Sequence, residues 1–170
     1  DYGSVFLEFA ARDAWAGYTV GVEYIPGEAS LGTKSRTDTA SDANETSDDS
    51  GTYTAKADVS DAFTIYLEPT FYATENFGLY VKGGASRVTV KSLESITKGE
   101  SSSAYGNVDV WGALFGAGVR YKHDSGFLVK LEYSQTDYQN VTMTSTSGNN
   151  NRIKASPEQE AVSLAIGYQF

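Results

Sequence analysis

Apolar and polar side chains alternate along this chain with a period of two, in seven separate stretches. That is the period of an extended strand, whose successive side chains point to opposite faces. The clearest case is residues 161–170. Val162, Leu164, Ile166, Tyr168 and Phe170 share one face, and Ala161, Ser163, Ala165, Gly167 and Gln169 share the other. The stretch from about Tyr105 to Lys122 sets Trp111, Ala113, Phe115, Ala117, Val119 and Tyr121 against Gly112, Gly116, Gly118 and Arg120. Earlier strands are expected at about Ser4 to Ala11 (Val5, Leu7 and Phe9 against Glu8) and Trp15 to Ile25 (Tyr18, Val20, Val22 and Tyr24 against Glu23). Further strands are expected at about Tyr53 to Tyr72 (Phe63, Ile65 and Leu67 against Glu68), Phe77 to Lys91 (Leu79 and Val81 against Lys82) and Phe127 to Val141 (Val129, Leu131 and Tyr133 against Lys130 and Glu132).

The connections alternate short and long. Tight turns fall near residues 12–14, 74–76 and 123–126, and polar loops at about 28–52, 92–104 and 143–157, with Pro26-Gly27 expected to end the second strand. This predicts an all-β, antiparallel up-and-down barrel as a single domain over residues 1–170. A soluble barrel would bury its apolar stripes, whereas a transmembrane barrel turns them to lipid and keeps polar residues inside. Trp111 to Tyr121 is eleven residues, the length of about 9–11 that a tilted strand needs to cross a bilayer. Tyr18, Tyr24, Trp111, Tyr121 and Tyr133 are the candidate interfacial girdle.

Composition narrows the reading. A formal charge of −9 argues against a nucleic-acid partner, and the lack of cysteine excludes disulfides and thiolate metal sites. No signal peptide is evident, so export would place residue 1 beyond a removed segment.

The alternating strands, together with a final aromatic preceded by apolar residues at every second position (Val162, Leu164, Ile166, Tyr168, Phe170), resemble the small bacterial outer-membrane β-barrels, the OmpA-, OmpX- and OmpW-like group. The resemblance implies an eight-stranded transmembrane barrel in the bacterial outer membrane, with its long loops facing the cell exterior. It implies outer-membrane lipid and lipopolysaccharide as surroundings, and recognition of the last strand by the barrel-assembly machinery. It also implies a structural or surface-display role without catalysis or cofactor. A narrow barrel passing small solutes is one alternative. A soluble barrel that binds a ligand or polymerises by strand exchange is another.

The chain departs from that pattern in one respect. Seven strands would leave the first and last running parallel, whereas single-chain barrels have an even number. An upstream strand, absent or cleaved, is the expected remedy. A strand donated by another copy, giving a homo-oligomer through the open edge, is the alternative.

With the apolar stripes outward, Glu8, Glu23, Glu68, Lys82, Arg120, Lys130 and Glu132 point into the lumen, where isolated charges are costly and should pair into a network. Such a network reads as a polar plug, or as an ion path or gate. Asp38, Asp42, Asp48 and Asp49 in the first long loop are candidate weak divalent-cation ligands of the oxygen type, although their spacing matches no EF-hand. His123, the only histidine, falls in a tight turn and reads as a solvated turn residue rather than a catalytic base.

Overall fold

The computed structural model describes residues 2–38, 51–96, 103–146 and 152–170. Among the described residues nine strands follow one another: β1 (Val5–Asp13), β2 (Ala16–Asp38), β3 (Gly51–Tyr72), β4 (Phe77–Ile96), β5 (Ser103–Lys122), β6 (Phe127–Tyr138), β7 (Val141–Thr144), β8 (Arg152–Ala155) and β9 (Glu158–Tyr168). Seven of them form one antiparallel sheet in the order β1-β2-β3-β4-β5-β6-β9, and β7 pairs with β8 in a separate hairpin. The sheet curls so that side chains of the two outer strands meet: Gln159 Nε2 on β9 donates to Tyr2 Oη beside the start of β1, at 3.1 Å. β1 and β9 run parallel and share no backbone pairing among the described residues; an eighth strand between them, antiparallel to both, would give the even number usual in bacterial single-chain barrels.

The hydrophobic pattern is inside out. Leu7 is 73% exposed and Val162 76%, and Phe9, Ile65, Phe115, Leu131 and Ile166 also lie on the outer surface, while Glu68 is fully buried. A water-soluble barrel would reverse this arrangement. Adjacent strands are registered so that Val5, Tyr24, Phe63, Arg87 and Trp111 fall in one row at the loop end. Phe127 pairs with Tyr168, and Tyr121 with Val129, at the turn end.

Several strands extend beyond the expected boundaries, whereas β6 ends at Tyr138, short of the expected Val141. β2 does not stop at Pro26-Gly27 but shifts register between Ile25 and Glu28, and then continues to Asp38 paired with β3. A bulge is one of the few places a sheet tolerates proline, and Gly27 supplies the positive φ of 107° there. β3 is also irregular at this level, between Ser60 and Phe63, where Asp61 adopts φ 55° and accepts a hydrogen bond from Tyr24 Oη at 3.1 Å. Above this line the β2–β3 ladder carries few apolar residues, chiefly Val59, which packs on the loop-end core. Ser35 pairs with Thr54 at 3.0 Å, and Thr37 with Thr52 at 3.2 Å. Residues 28–38 therefore belong to a strand rather than to the expected loop, because backbone pairing and β-branched threonines sustain a ladder without an apolar face.

The third expected loop likewise contains the β7–β8 hairpin. Its Val141 and Met143 are buried with Val88, Val90, Tyr105 and Val110, forming a small dry core at the loop end. The turn end is tied together by side chains. Arg12 donates to the carbonyls of Ala14 and Glu75, and Asn76 Nδ2 donates to the Lys122 carbonyl at 2.8 Å and to Asp124 at 2.9 Å. These bonds link all three short turns.

Candidate functional site: the charged lumen

The inward faces of β1, β2, β3, β4 and β6 converge on two ammonium groups. Period two sends Lys82 and Lys130 inward, opposite the lipid-facing Val81 and Leu131, and both are buried. Lys130 Nζ donates to Glu8 Oε1 at 2.6 Å and to both carboxylate oxygens of Glu68 at 2.7 and 2.8 Å. Lys82 Nζ donates to Glu132 Oε1 at 3.0 Å and lies 3.6 Å from Glu23 and 3.8 Å from Glu68. Glu68 thus bridges the two lysines.

Two tyrosines complete the cluster. Tyr66 Oη donates to Glu8 at 2.8 Å, and Tyr80 Oη donates to Glu132 at 2.9 Å. Their rings lie beneath the cations, with Lys82 Nζ 3.9 Å from the Tyr66 centroid and Lys130 Nζ 4.8 Å from that of Tyr80. Glycine makes room for both rings. A Cβ at Gly21 would stand 2.4 Å from Tyr66 Cζ, and one at Gly118 would stand 2.6 Å from Tyr80 Cζ.

Six of the seven expected lumen charges therefore meet in one cluster, which holds four carboxylates and two ammoniums. Arg120 stands apart. Its Nη1 donates to Thr19 Oγ1 at 2.8 Å, nearer the turn end. Tyr66 and Tyr80 are the cluster members that sequence reasoning passed over. The signal was there, since each lies two residues from an inward charge, Glu68 or Lys82. Toward the loop end the cluster borders a cavity of about 560 Å³, lined among others by Tyr2, Phe6, Ile25, Thr64, Leu114 and Gln159. Its lining includes consecutive residues of both sheet edges, Tyr2–Ser4 and Gln159–Ile166, so it opens between them.

A buried ion cluster inside and an apolar band outside are what lipid demands of a spanning sheet. The family model described as outer membrane protein beta-barrel domain matches residues 8–170. The chain belongs to this outer-membrane β-barrel family. No match was found among the curated proteins or among the solved structures. Membership places this barrel in the bacterial outer membrane.

On the barrel's outer face, Val162, Leu164, Ile166, Tyr168 and Phe170 are all exposed, as are Tyr18, Tyr24, Trp111, Tyr121 and Tyr133. Tyr24 and Trp111 share the loop-end row, whereas Tyr133 sits midway along β6, opposite Ala117 and Val162. Asp38 ends β2, and Asp42, Asp48 and Asp49 lie outside the described residues. Among the described residues no group of three or more acidic or histidine side chains is arranged to hold a metal. His123 is exposed, and its Nδ1 accepts the Ser125 backbone N–H at 3.2 Å, closing the third turn.

Outside the membrane band the charges form local pairs. Asp109 receives bonds from Arg87 and, at 2.8 Å, from Thr89 Oγ1, and both hold its carboxyl below the ordinary value. Lys56 lies 2.9 Å from Asp58 and lowers that carboxyl likewise, while Glu28 accepts from Lys91 and raises the ammonium.

Proposed function

We propose that this barrel is a non-catalytic surface protein whose lumen is plugged and whose long strands carry polar loops to the cell exterior. The observation that carries the reading is the bridging of Lys82 and Lys130 by the fully buried Glu68. On this reading a cluster in which each ammonium contacts at least two carboxylates and faces an aromatic ring blocks the lumen at its own level, below the cavity. What the barrel offers to partners is then its outside: an apolar band for lipid and, at the loop end, the polar ladders that face lipopolysaccharide.

Planar-bilayer recording on the refolded chain tests the plug. The expected result is no steady conductance, and an ohmic pore of constant size would overturn it. Orientation is checked by inserting an epitope within residues 39–50, between β2 and β3, and labelling intact cells. The exposed row Val162, Leu164, Ile166, Tyr168 and Phe170 is read as the signal to the assembly machinery: Phe170→Ser should lower outer-membrane yield while leaving refolding into detergent unchanged.

A second reading, passage or binding of a small solute, is supported by the cavity of about 560 Å³ between the cluster and the loop end, a volume typical of ligand pockets.

A further inference from the structure

Arg120 is 2% exposed, and its Nε has no hydrogen-bond partner. Among the described residues no carboxylate lies within 4.0 Å of it. A buried guanidinium with one neutral acceptor, Thr19, is an uncompensated charge, and buried charges are ordinarily paired. The four lumen carboxylates gather instead around the two lysines.

Arg120 lines a second cavity, of about 100 Å³, at the turn end. The other polar groups around it are Arg12, Lys122, Tyr72, Asn76 and Gln169. Every charged side chain in that lining is positive, in a chain whose formal charge is −9. Around Arg120, the cation of Arg12 and the backbone of Lys122 are held in place. The Arg12 guanidinium lies 3.9 Å from the Tyr72 ring centroid and is anchored on turn carbonyls. The Lys122 backbone is fixed by its N–H to the Asn76 carbonyl and by its own carbonyl to Asn76 Nδ2, both at 2.8 Å. Its ammonium makes no ion pair among the described residues.

We propose that this turn-end cavity binds a phosphate group. Its volume holds about three waters at roughly 30 Å³ each, the space of one tetrahedral oxyanion. Arginine offers forked donors suited to phosphate oxygens, and three cations favour a dianion over a singly charged carboxylate. The free Nε–H of Arg120 is the donor left over for it. The phosphate comes either from solution at the turn side or from a phospholipid headgroup at the adjoining interface, where Tyr121, Phe127 and Tyr168 are exposed outward.

The test is calorimetric titration of the refolded full chain, in a phosphate-free detergent at constant ionic strength. The probes are inorganic phosphate, acetate and a short-chain phosphatidic acid carried in the micelle. Saturable binding of inorganic phosphate, stronger than that of acetate, is expected. Arg120→Gln should weaken it about tenfold or more, the value of a charge-assisted bond. Lys122→Gln sits at the rim and tests the site without disturbing the buried guanidinium, so it decides the matter if R120Q fails to fold. It should weaken binding at least about threefold, since it removes one charge-assisted partner. Binding of the lipid probe alone, with the same dependence on Lys122, would support the site and assign it to headgroups. Absence of binding to both phosphate probes, equal binding of acetate, or phosphate binding that both variants leave unchanged would each overturn the proposal.

Discussion

Replacing Lys130 by methionine isolates what the lumen cluster contributes. Lys130 is 4% exposed, and its ammonium bonds Glu8 at 2.6 Å and Glu68 at 2.7 Å. With an effective dielectric of about 20, each contact amounts to roughly 6 kcal/mol of Coulomb attraction. Much of this is offset by the desolvation of the three ions. What K130M changes is the remainder: two carboxylates are left facing each other, with Lys82 the closest remaining cation to Glu68, at 3.8 Å. Removing one partner of a buried pair ordinarily costs about 3–5 kcal/mol, and that is the expected loss in guanidinium unfolding of the barrel in detergent micelles, followed by the heat-dependent gel shift. The triple variant K130M with Glu8→Gln and Glu68→Gln should recover at least half of it, because neutral groups need no counter-charge. A loss under about 1 kcal/mol for K130M would show that the ion pairing does not hold the lumen together. A triple variant no better than the single would show that the loss came from packing.

Three further outcomes follow from the geometry. Gly21→Ala should cost about 1–3 kcal/mol by overpacking, since its Cβ would fall 2.4 Å from Tyr66, whereas Gly83→Ala, with nothing within 4 Å, should be close to neutral in the same unfolding assay. Met143→Ala should destabilise the loop-end core by about 2–5 kcal/mol. That core lies at the end of the β7–β8 hairpin, so limited proteolysis should nick this hairpin while the barrel keeps its heat-dependent mobility. Asp109 has a depressed folded-state value, so its pairing with Arg87 stabilises fully above its ordinary value of 3.8 and is lost as pH falls below that. Amide protection around Arg87 to Thr89, taken relative to the intrinsic exchange rate at each pH, should fall on acidification below 3.8 in the wild type, and D109N should show the lower protection at neutral pH without the acid step.

The alternation that made β5 and β9 legible comes from their burial on one side only. Trp111 to Tyr121 and Val162 to Tyr168 face lipid at every second residue, and the sequence carries that period without ambiguity. The polar upper half of β2 was not legible in this way. Glu28 to Asp38 has no apolar face, and what makes it a strand is pairing with residues 51–60, which no local pattern records. Pro26-Gly27 misled for a related reason: the dipeptide is punctuation for an isolated strand, but in a sheet edge-to-edge with β3 it becomes a bulge. Within the lumen, the direction of each charge followed from its parity with the outward residues. Which charges meet did not. Glu8 and Lys130 are 122 residues apart, and only the curl of the sheet brings them to 2.6 Å. Arg120 shares the parity of Lys82 and Lys130, and even pairs across the ladder with Lys130, yet its guanidinium turns to Thr19 and not to a carboxylate of the cluster.

The inverted distribution of side chains also decides where this sequence is free to change. Leu7, Phe9, Val162 and Leu164 press against a fluid that takes the shape of whatever it meets, so an exchange among leucine, valine, isoleucine and phenylalanine there leaves neither a void nor a clash. Gly21, Tyr66, Glu68 and Lys130 press against one another, and a change at any of them must be answered by its neighbour. Hydrophobic residues, the least replaceable part of a water-soluble protein, are here the tolerant ones. The barrel's individuality is written in its polar interior and in the ladders that stand above the membrane.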